Sequence, residues 1–166
     1  MDYIIDEMKE SDWEQVANIY LEGIKTGKAT FQTEIPNWES WNSGHINSCR
    51  LVVRSESTVL GWAALSPTSS RCVYAGVAEV SIYIGEKHKG KGIGTVLLKK
   101  LIKLSEENEF WTLQSGIVSK NIASIALHKN CGFREIGIRE KVAKMNNKEW
   151  MDVTFMERRS TIVGID

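Results

Sequence analysis

His88-Lys89-Gly90-Lys91-Gly92-Ile93-Gly94 joins an apolar strand, Val77 to Ile84, to a helical stretch reading Thr95-Val96-Leu97-Leu98-Lys99-Lys100-Leu101-Ile102. Glycines at alternate positions let backbone N–H groups crowd around an anion. A helix N-terminus carries about half a unit of positive charge and several N–H donors without intrahelical partners. A loop free of side chains leading into it therefore makes a cradle for phosphate. Lys87, Lys89 and Lys91 supply counter-charge, and the expected ligand is a pyrophosphate. A helix that merely begins with glycines is the plainer alternative, since glycine commonly punctuates the joints between elements.

The spacing narrows the class of phosphate ligand. A Walker loop needs G-x-x-x-x-G-K-[ST], which does not occur, and a dinucleotide fingerprint needs G-x-G-x-x-G, which Gly90, Gly92 and Gly94 do not provide. Both ATP and NAD lose ground.

Composition bounds the remaining choices. A chain of 166 residues, 42% hydrophobic and 25% charged, suits a single domain over 1–166 that buries about two-thirds of its unfolded surface. Lys plus Arg and Asp plus Glu number 21 each, so no global field favours nucleic acid or an anionic membrane. A small ligand is the expected partner. No apolar run has the length of a membrane span, and the start Met1-Asp2-Tyr3-Ile4-Ile5-Asp6-Glu7 lacks the order of a signal peptide, so a cytoplasmic location is expected. Cys49, Cys72 and Cys131 are odd in number and widely spaced, which argues against a disulfide framework and against zinc; no metal is expected.

Element by element, Tyr3-Ile4-Ile5 reads as a first strand and Ser11-Asp12-Trp13-Glu14 as a capping box opening a helix. Trp13, Val16, Ala17, Tyr20 and Ile24 recur at helical spacing as a core stripe. Gly23 to Pro36 is irregular, and Trp38-Glu39-Ser40-Trp41 opens a short second helix. Leu51–Arg54 and Val59–Leu65 flank Ser55-Glu56-Ser57-Thr58 as a hairpin. After the strand at Val77, the glycine loop and its helix come a strand from Trp111 to Val118, a helix from Asn121 to Asn130 stopped by Gly132, and two strands around Asn146-Asn147. The order β-α-α-β-β-β-α-β-α-β-β predicts an α/β fold of the α+β kind, a mixed sheet with helices on its faces.

Two constellations carry candidate chemistry. The two-residue period of Ala78-Glu79-Val80-Ser81-Ile82-Tyr83-Ile84 puts Glu79, Ser81 and Tyr83 on one strand face. Glutamate is a poor strand residue and costly to bury, so its place among strand formers suggests a use, with a solvated face as the alternative. Asn121, Ser124 and His128 fall three and four apart on one side of their helix, leaving Ile122, Ile125 and Ala126 to face the core. A lone helix histidine is most often a surface or satisfied residue.

The glycine loop matches the acyl-CoA pattern R/Q-x-x-G-x-G/A with Lys89, Gly92 and Gly94 in the defined places, and here the chain resembles the GNAT superfamily of N-acetyltransferases. The string Asn121-Ile122-Ala123-Ser124-Ile125-Ala126-Leu127-His128-Lys129-Asn130-Cys131-Gly132-Phe133 resembles that family's second signature, N-x-x-[AS]-x-x-[LF]-[YH]-x-x-x-G-F. The element order agrees with the family's fold, in which two central parallel strands splay and the pantetheine arm enters the gap. What the resemblance implies is acetyl-CoA as co-substrate. Its pyrophosphate would be held by the amides of Lys89, Gly90, Lys91, Gly92, Ile93, Gly94 and Thr95, its pantetheine by Asn121 with Ser124, and its thioester carbonyl would be polarised by the strand Ser81, Ile82, Tyr83 and Ile84. His128 takes the place where many relatives have a tyrosine that protonates the departing thiolate. It is expected to act as that acid, to contact substrate or to orient a water.

The similarity is greatest to the phosphinothricin and methionine-sulfoximine acetyltransferase branch, carried by Asn18-Ile19-Tyr20, Ala29-Thr30-Phe31, the strand around Glu79, and Trp150-Met151-Asp152-Val153-Thr154-Phe155-Met156. It implies a homodimer that acetylates the α-amino group of a small amino acid or analogue by direct attack. An amine with a pKa near ~8 must lose a proton before attacking, and Glu79 is the expected base. Arg71 resembles an arginine of the branch's R-P-A-Y segment and is expected to hold the acceptor carboxylate, with Tyr74 and Phe31 beside it. A solvated loop arginine is the alternative. Cys72 replaces the proline of that segment, and Ala75-Gly76 replaces a second basic residue. Trp38 and Trp41 either wall the acceptor pocket or pack their helix. Acceptors of another kind, namely a peptide N-terminus, a polyamine or an aminoglycoside, and a non-catalytic acyl-CoA-sensing module are the rival functions.

Overall fold

The computed structural model describes residues 2–166. Its centre is a continuous apolar hairpin, β2 (Arg50–Ser55) and β3 (Thr58–Pro67), whose side chains are buried on both faces. Both faces are covered because helices lie on either side, and this is why the hairpin reads as an unbroken hydrophobic run. Leu51, Val53, Leu60, Ala63 and Leu65 pack on one side, while Val52, Val59, Trp62 and Ala64 pack on the other. Strict alternation would send Leu60 and Trp62 to the same face. A register shift at Val53/Arg54, where Val53 pairs with Gly61 and Arg54 with Val59, leaves Leu60 as an extra residue and reverses the alternation.

Four helices cover this sheet. α1 (Trp13–Lys25) buries Val16, Ile19, Tyr20 and Gly23 against the face carrying Trp62, and α2 (Trp38–Gly44) adds Trp41 there. α2 is capped by Asn37, whose side chain accepts from Ser40 N–H at 2.9 Å. α3 (Ile93–Glu107) buries Ile93, Leu97, Leu98, Leu101 and Ile102 on the opposite face, at the three- and four-residue spacing of an amphipathic helix. α4 (Ile122–Asn130) joins α3 on that side through Ile125 and Leu127.

The sheet has seven strands in the order β1-β2-β3-β4-β5-β7-β6, with β1 at Ile4–Glu7, β4 at Val77–Ile84, β5 at Thr112–Val118, β6 at Arg134–Met145 and β7 at Glu149–Arg159. All pairings are antiparallel except β4 with β5. That parallel pairing covers only Val77 to Glu79 against Thr112 to Gln114. Beyond Glu79 the two strands have no register with one another, although β4 stays paired to β3 out to Ile84 and β5 to β7 out to Val118. The sheet therefore opens into a gap at its middle.

The element order agrees with the sequence-based expectation, and several local details differ, β5 beginning at Thr112 rather than Trp111 among them. Ser11 caps nothing; it lies in a short helical turn, Glu10–Asp12, and the carboxylate of Asp12 instead accepts from Lys9 N–H at 2.9 Å and takes both ends of the Arg54 guanidinium at 2.9 and 3.0 Å. Burial pushes the Asp12 pKa up, but the Arg54 hydrogen bonds and charge outweigh it and leave the carboxyl below its usual range. α1 runs past Gly23 to Lys25, because Gly23 sits under the Tyr83 ring rather than ending the helix. β1 runs from Ile4 to Glu7, one residue later at its start than expected. On α4, Ile122 and Ala126 are exposed, and it is Ile125, Leu127 and His128 that turn inward.

Gly76 marks the closed end of the β4/β5 pairing, opposite the splay. Its carbonyl accepts from both Trp111 N–H and Thr112 N–H, at 2.8 and 3.1 Å, which seats β5 beside β4. A Cβ on Gly76 would stand 2.1 Å from the Trp111 ring. Gly76→Ala is expected to cost about 1–3 kcal/mol of stability, as overpacking against a rigid ring does, and to lower Tm by roughly 2–10 °C in a thermal melt. A change below about 1 °C would show that the indole can step aside.

Candidate active site

The gap between β4 and β5 continues into a cleft of about 1020 Å³. Glu79 to Ile84 of β4 form one wall, Ser115 to Val118 of β5 the other, and the glycine loop with the start of α3 and the length of α4 closes its far end. Strand divergence makes this space without any side chain having to be small, and it leaves the β5-facing backbone edge of β4 without a strand partner from Val80 onward.

At the far end, Gly90 and Gly92 take left-handed backbone conformations, φ +73° and +79°, which L side chains adopt at a cost. No atom lies within 4 Å of a Cβ built on either, so space is not what demands glycine there. Gly92 is the N-cap of α3 and offers no side-chain cap; the first helical bond runs from Val96 N–H to the Gly92 carbonyl. The N–H groups of Ile93, Gly94 and Thr95 thus precede the helical ladder and are free to donate to an anion. Gly94 has another reason: a Cβ there would come 3.3 Å from Leu127, so glycine lets α3 and α4 approach. Lys89 lines the cleft but is ion-paired with Glu86 at 2.8 Å, both exposed. Lys91 is exposed and does not line the cleft, and the Ile93 side chain is buried in the core, leaving only its backbone for a ligand. These residues fit a pyrophosphate through main-chain amides, with lysine charge at the rim.

At the near end Glu79 projects from the last residue of β4 that still pairs with β5. Burial pushes its carboxyl pKa up, and a hydrogen bond from Gly116 N–H works against that. Gly116 of β5 was not among the residues singled out from sequence. A glycine inside a strand is itself a sign of close backbone approach, and here a Cβ would meet Glu79 Oε1 at 4.0 Å and Val153 at 3.4 Å. Ser81, Ile82, Tyr83 and Ile84 continue the wall, with Ser81 and Tyr83 on the same face as Glu79.

Asn121 and Ser124 line the cleft on α4, and both are already bonded. Asn121 Oδ1 accepts from Ser124 N–H at 3.3 Å as the helix cap, and the Ser124 carbonyl accepts from His128 Nδ1 at 2.7 Å. A carbonyl only accepts, so the proton of His128 sits on Nδ1. Burial pushes the His128 pKa down, which holds the ring neutral, and the Ser124 carbonyl opposes this only in part. Nε2 then carries a lone pair and no proton, and it is buried without a hydrogen-bond partner beside the edge of Phe133. A ring in this state has no proton on Nε2 to give to a leaving thiolate.

The structure brings Phe31 to the cleft, where it packs on Val118, Met145 and Met151 and fastens the 26–37 loop over the end of β5. It does not bring Arg71 or Tyr74 there. Both are exposed beyond β3, in and before a helical turn at Cys72–Tyr74, with the Arg71 guanidinium over the Tyr74 ring at 5.7 Å. Within this chain they do not touch the space Glu79 faces. Tyr20, which the sequence places in the core stripe of α1, and His45, which carries no sequence signal of a site, do line it; helical and loop positions so far from Glu79 in sequence are joined only by packing. Trp38 and Trp41 stack on one another at 5.8 Å and pack with Trp13, and neither lines this cleft.

Residues 7–133 match the Acetyltransferase (GNAT) family. The chain is 29% identical over 157 residues to the phosphinothricin N-acetyltransferase of Streptomyces coelicolor, covering 90% of this chain and 91% of that one. It is 33% identical over 99 residues to the L-methionine sulfoximine/L-methionine sulfone acetyltransferase of Pseudomonas aeruginosa, covering 60% and 57%. A crystal structure of a phosphinothricin acetyltransferase from Sinorhizobium meliloti in complex with AcCoA superposes with a TM-score of 0.87 at 25% identity, over 100% of this chain and 92% of that one. With a splayed β4/β5 pair, a glycine loop feeding the bare end of α3 and a family match that spans both, the chain belongs to the GNAT family of acetyltransferases.

Proposed function

We propose that this acetyltransferase moves the acetyl group of acetyl-CoA to the α-amino group of a small amino acid or amino-acid analogue, of the phosphinothricin or methionine-sulfoximine type, by direct attack. What carries the proposal is Glu79: a half-buried carboxylate with a raised pKa where the open cleft begins, on the strand whose free edge faces the gap. The first-turn amides of α3 with Gly90 and Gly92 hold the diphosphate, and the unpaired edge of β4 from Ser81 to Ile84 lies along the arm that carries the acyl group. Acetyl-CoA supplies an activated thioester carbon to the amine. Glu79 takes the ammonium proton, freeing the lone pair; the C–N bond forms, the C–S bond breaks with the sulfur leaving with its electron pair, and the second proton shed by the acylated nitrogen passes to water in the cleft, from which the free thiolate is protonated. The amides of β4 stabilise the charge that gathers on the carbonyl oxygen.

His128 receives a different role from the one its place in the signature suggests. With its proton committed to the Ser124 carbonyl, it serves as a buried acceptor that orients a water or an S–H, and it is not the acid. The weakly basic thiolate can depart unprotonated, since a free thiol has a pKa near ~8.5. Cys131 is no nucleophile, because burial pushes its pKa up and its Sγ points to the Thr95 carbonyl at 3.9 Å. A cytoplasmic homodimer completes the proposal. Exposed Ile136, Ile138 and Trp150 on β6 and β7 support self-association, and the free cysteines suit a reducing compartment.

Glu79→Gln is expected to lower kcat/KM for the amine by about 10²-fold or more at pH 7, with acetyl-CoA affinity by calorimetry within twofold of the parent. Equal turnover would remove Glu79 from the reaction. A raised pKa means the base form is lost sooner on acidification, so the acid limb of the kcat/KM profile should lie above the ordinary carboxylate range and vanish in the Gln variant. Gly92→Ala must hold alanine at a positive φ, a cost of roughly 1–2 kcal/mol. It is expected to weaken acetyl-CoA binding about fivefold to thirtyfold, and unchanged binding would mean the loop does not grip the donor. Sedimentation should give twice the chain mass, and Ile138→Lys should shift it toward the monomer.

A further inference from the structure

Beside the main cleft lies a second cavity of about 210 Å³, and the two share Tyr20, Gln32, His45, Ser81 and Tyr83 as walls. Its other walls are Pro36 and Ser40, from the 26–37 loop and α2, and the indoles of Trp41 and Trp62. It opens on the face of β4 that carries Glu79, since Ser81 is the next residue along on that face. No carboxylate, lysine or arginine lines it. The aromatic rings are locked together: Trp62 stacks on Tyr83 at 5.0 Å, Tyr20 lies 5.0 Å from Tyr83, and Trp41 meets Trp62 edge-on at 5.6 Å. Such a cavity is stiff and keeps its shape when a side chain enters.

A positive charge stands behind it. Arg50 is 6% exposed, with its guanidinium 5.1 Å from the Trp41 ring centroid. Its N–H groups end on neutral oxygens, the Ile46, Asn42 and His45 carbonyls and Asn42 Oδ1, at 2.6 to 3.2 Å. Among the described residues no carboxylate pairs with it. A buried cation without a counter-ion raises the cost of placing another cation near it, because little solvent screens the pair. His45 already feels this. Burial pushes its pKa down, the bond from Nδ1 to the Trp41 carbonyl at 2.7 Å works against that, and the Arg50 charge adds a smaller downward push; Nε2 is left as a neutral acceptor. The buried indole N–H groups of Trp41 and Trp62 have no acceptor, so nothing negative stands among these walls to offset the cation.

We infer that this second cavity is the side-chain pocket of the acceptor, and that it selects amino acids with a side chain of norleucine to tyrosine size that carries no positive charge, rejecting cationic ones. The inference rests on the proposed function: with the α-amine at Glu79, the acceptor side chain runs past Ser81 into the aromatic cavity. The pocket walls exclude polyamine-like and lysine-like acceptors through Arg50 rather than through shape alone.

Norleucine and lysine test this, because they share a chain length and differ by a terminal methyl against an ammonium. With saturating acetyl-CoA and CoA release as the readout, kcat/KM for norleucine is expected to exceed that for lysine at least tenfold, and that for alanine at least tenfold, since each methylene in an apolar pocket is worth about 10-fold or more. Ser40→Phe, which plugs the cavity from α2, is expected to bring the norleucine-to-alanine ratio to within about threefold of one; acetyl-CoA affinity within twofold of the parent serves as the folding control. Lysine turned over as well as norleucine, or a ratio unmoved by Ser40→Phe, would overturn the inference while leaving amino-acid acetylation intact. Acetyl-CoA binding with no turnover of any amino acid would remove the proposed function, and the pocket assignment with it.

Discussion

Three residues of parallel pairing, Val77 to Glu79 with Thr112 to Gln114, are the constraint on which the rest of the molecule depends. Were β4 and β5 to remain paired along their length, the sheet would close and Glu79 would lie under a continuous ladder. Because each strand keeps its antiparallel neighbour on the outer side, the loss of pairing between them costs few backbone hydrogen bonds and creates a solvent-filled gap. The two halves can part there because different helices hold them: α1, α2 and α3 pack on β2 to β4, and α4 packs against β6. Gly76, with its carbonyl shared by the N–H groups of Trp111 and Thr112, fastens the end where the strands still meet.

Placing the reaction at a splay explains its electrostatics. Glu79 sits at the vertex, shielded enough to lift its pKa and still open to the cleft, with the Gly116 backbone beside it opposing that lift. The donor end needs the opposite arrangement, positive charge without bulk, and a helix start with left-handed glycines before it supplies this from the main chain. The lysines of the loop are less central than their number suggests, since Lys89 is already paired with Glu86 and Lys91 does not line the cleft.

The acceptor end was the least legible in sequence. Arg71 was singled out by likeness to a segment of relatives, and the fold sets it on an exposed turn away from Glu79. Arg50, the first residue of β2 with nothing in the local sequence to mark it, is instead the buried cation nearest the aromatic cavity. No local pattern distinguishes the two, because what makes Arg50 distinctive is a set of carbonyls from a turn that only tertiary structure folds around it. His128 teaches the same lesson: its signature position is local, but its tautomer and its buried lone pair follow from the Ser124 carbonyl and the packing of Phe133.

By itself the sequence determined the order of elements, the side of β4 on which Glu79 stands and the glycines that open α3, because strand period, helix period and positive φ are properties of neighbouring residues. Only the tertiary structure decided where β4 and β5 part, that Gly116 reaches Glu79, and which aromatic residues enclose the second cavity. Those relations join residues far apart in the chain, and the packing that creates them has no period for a sequence to display.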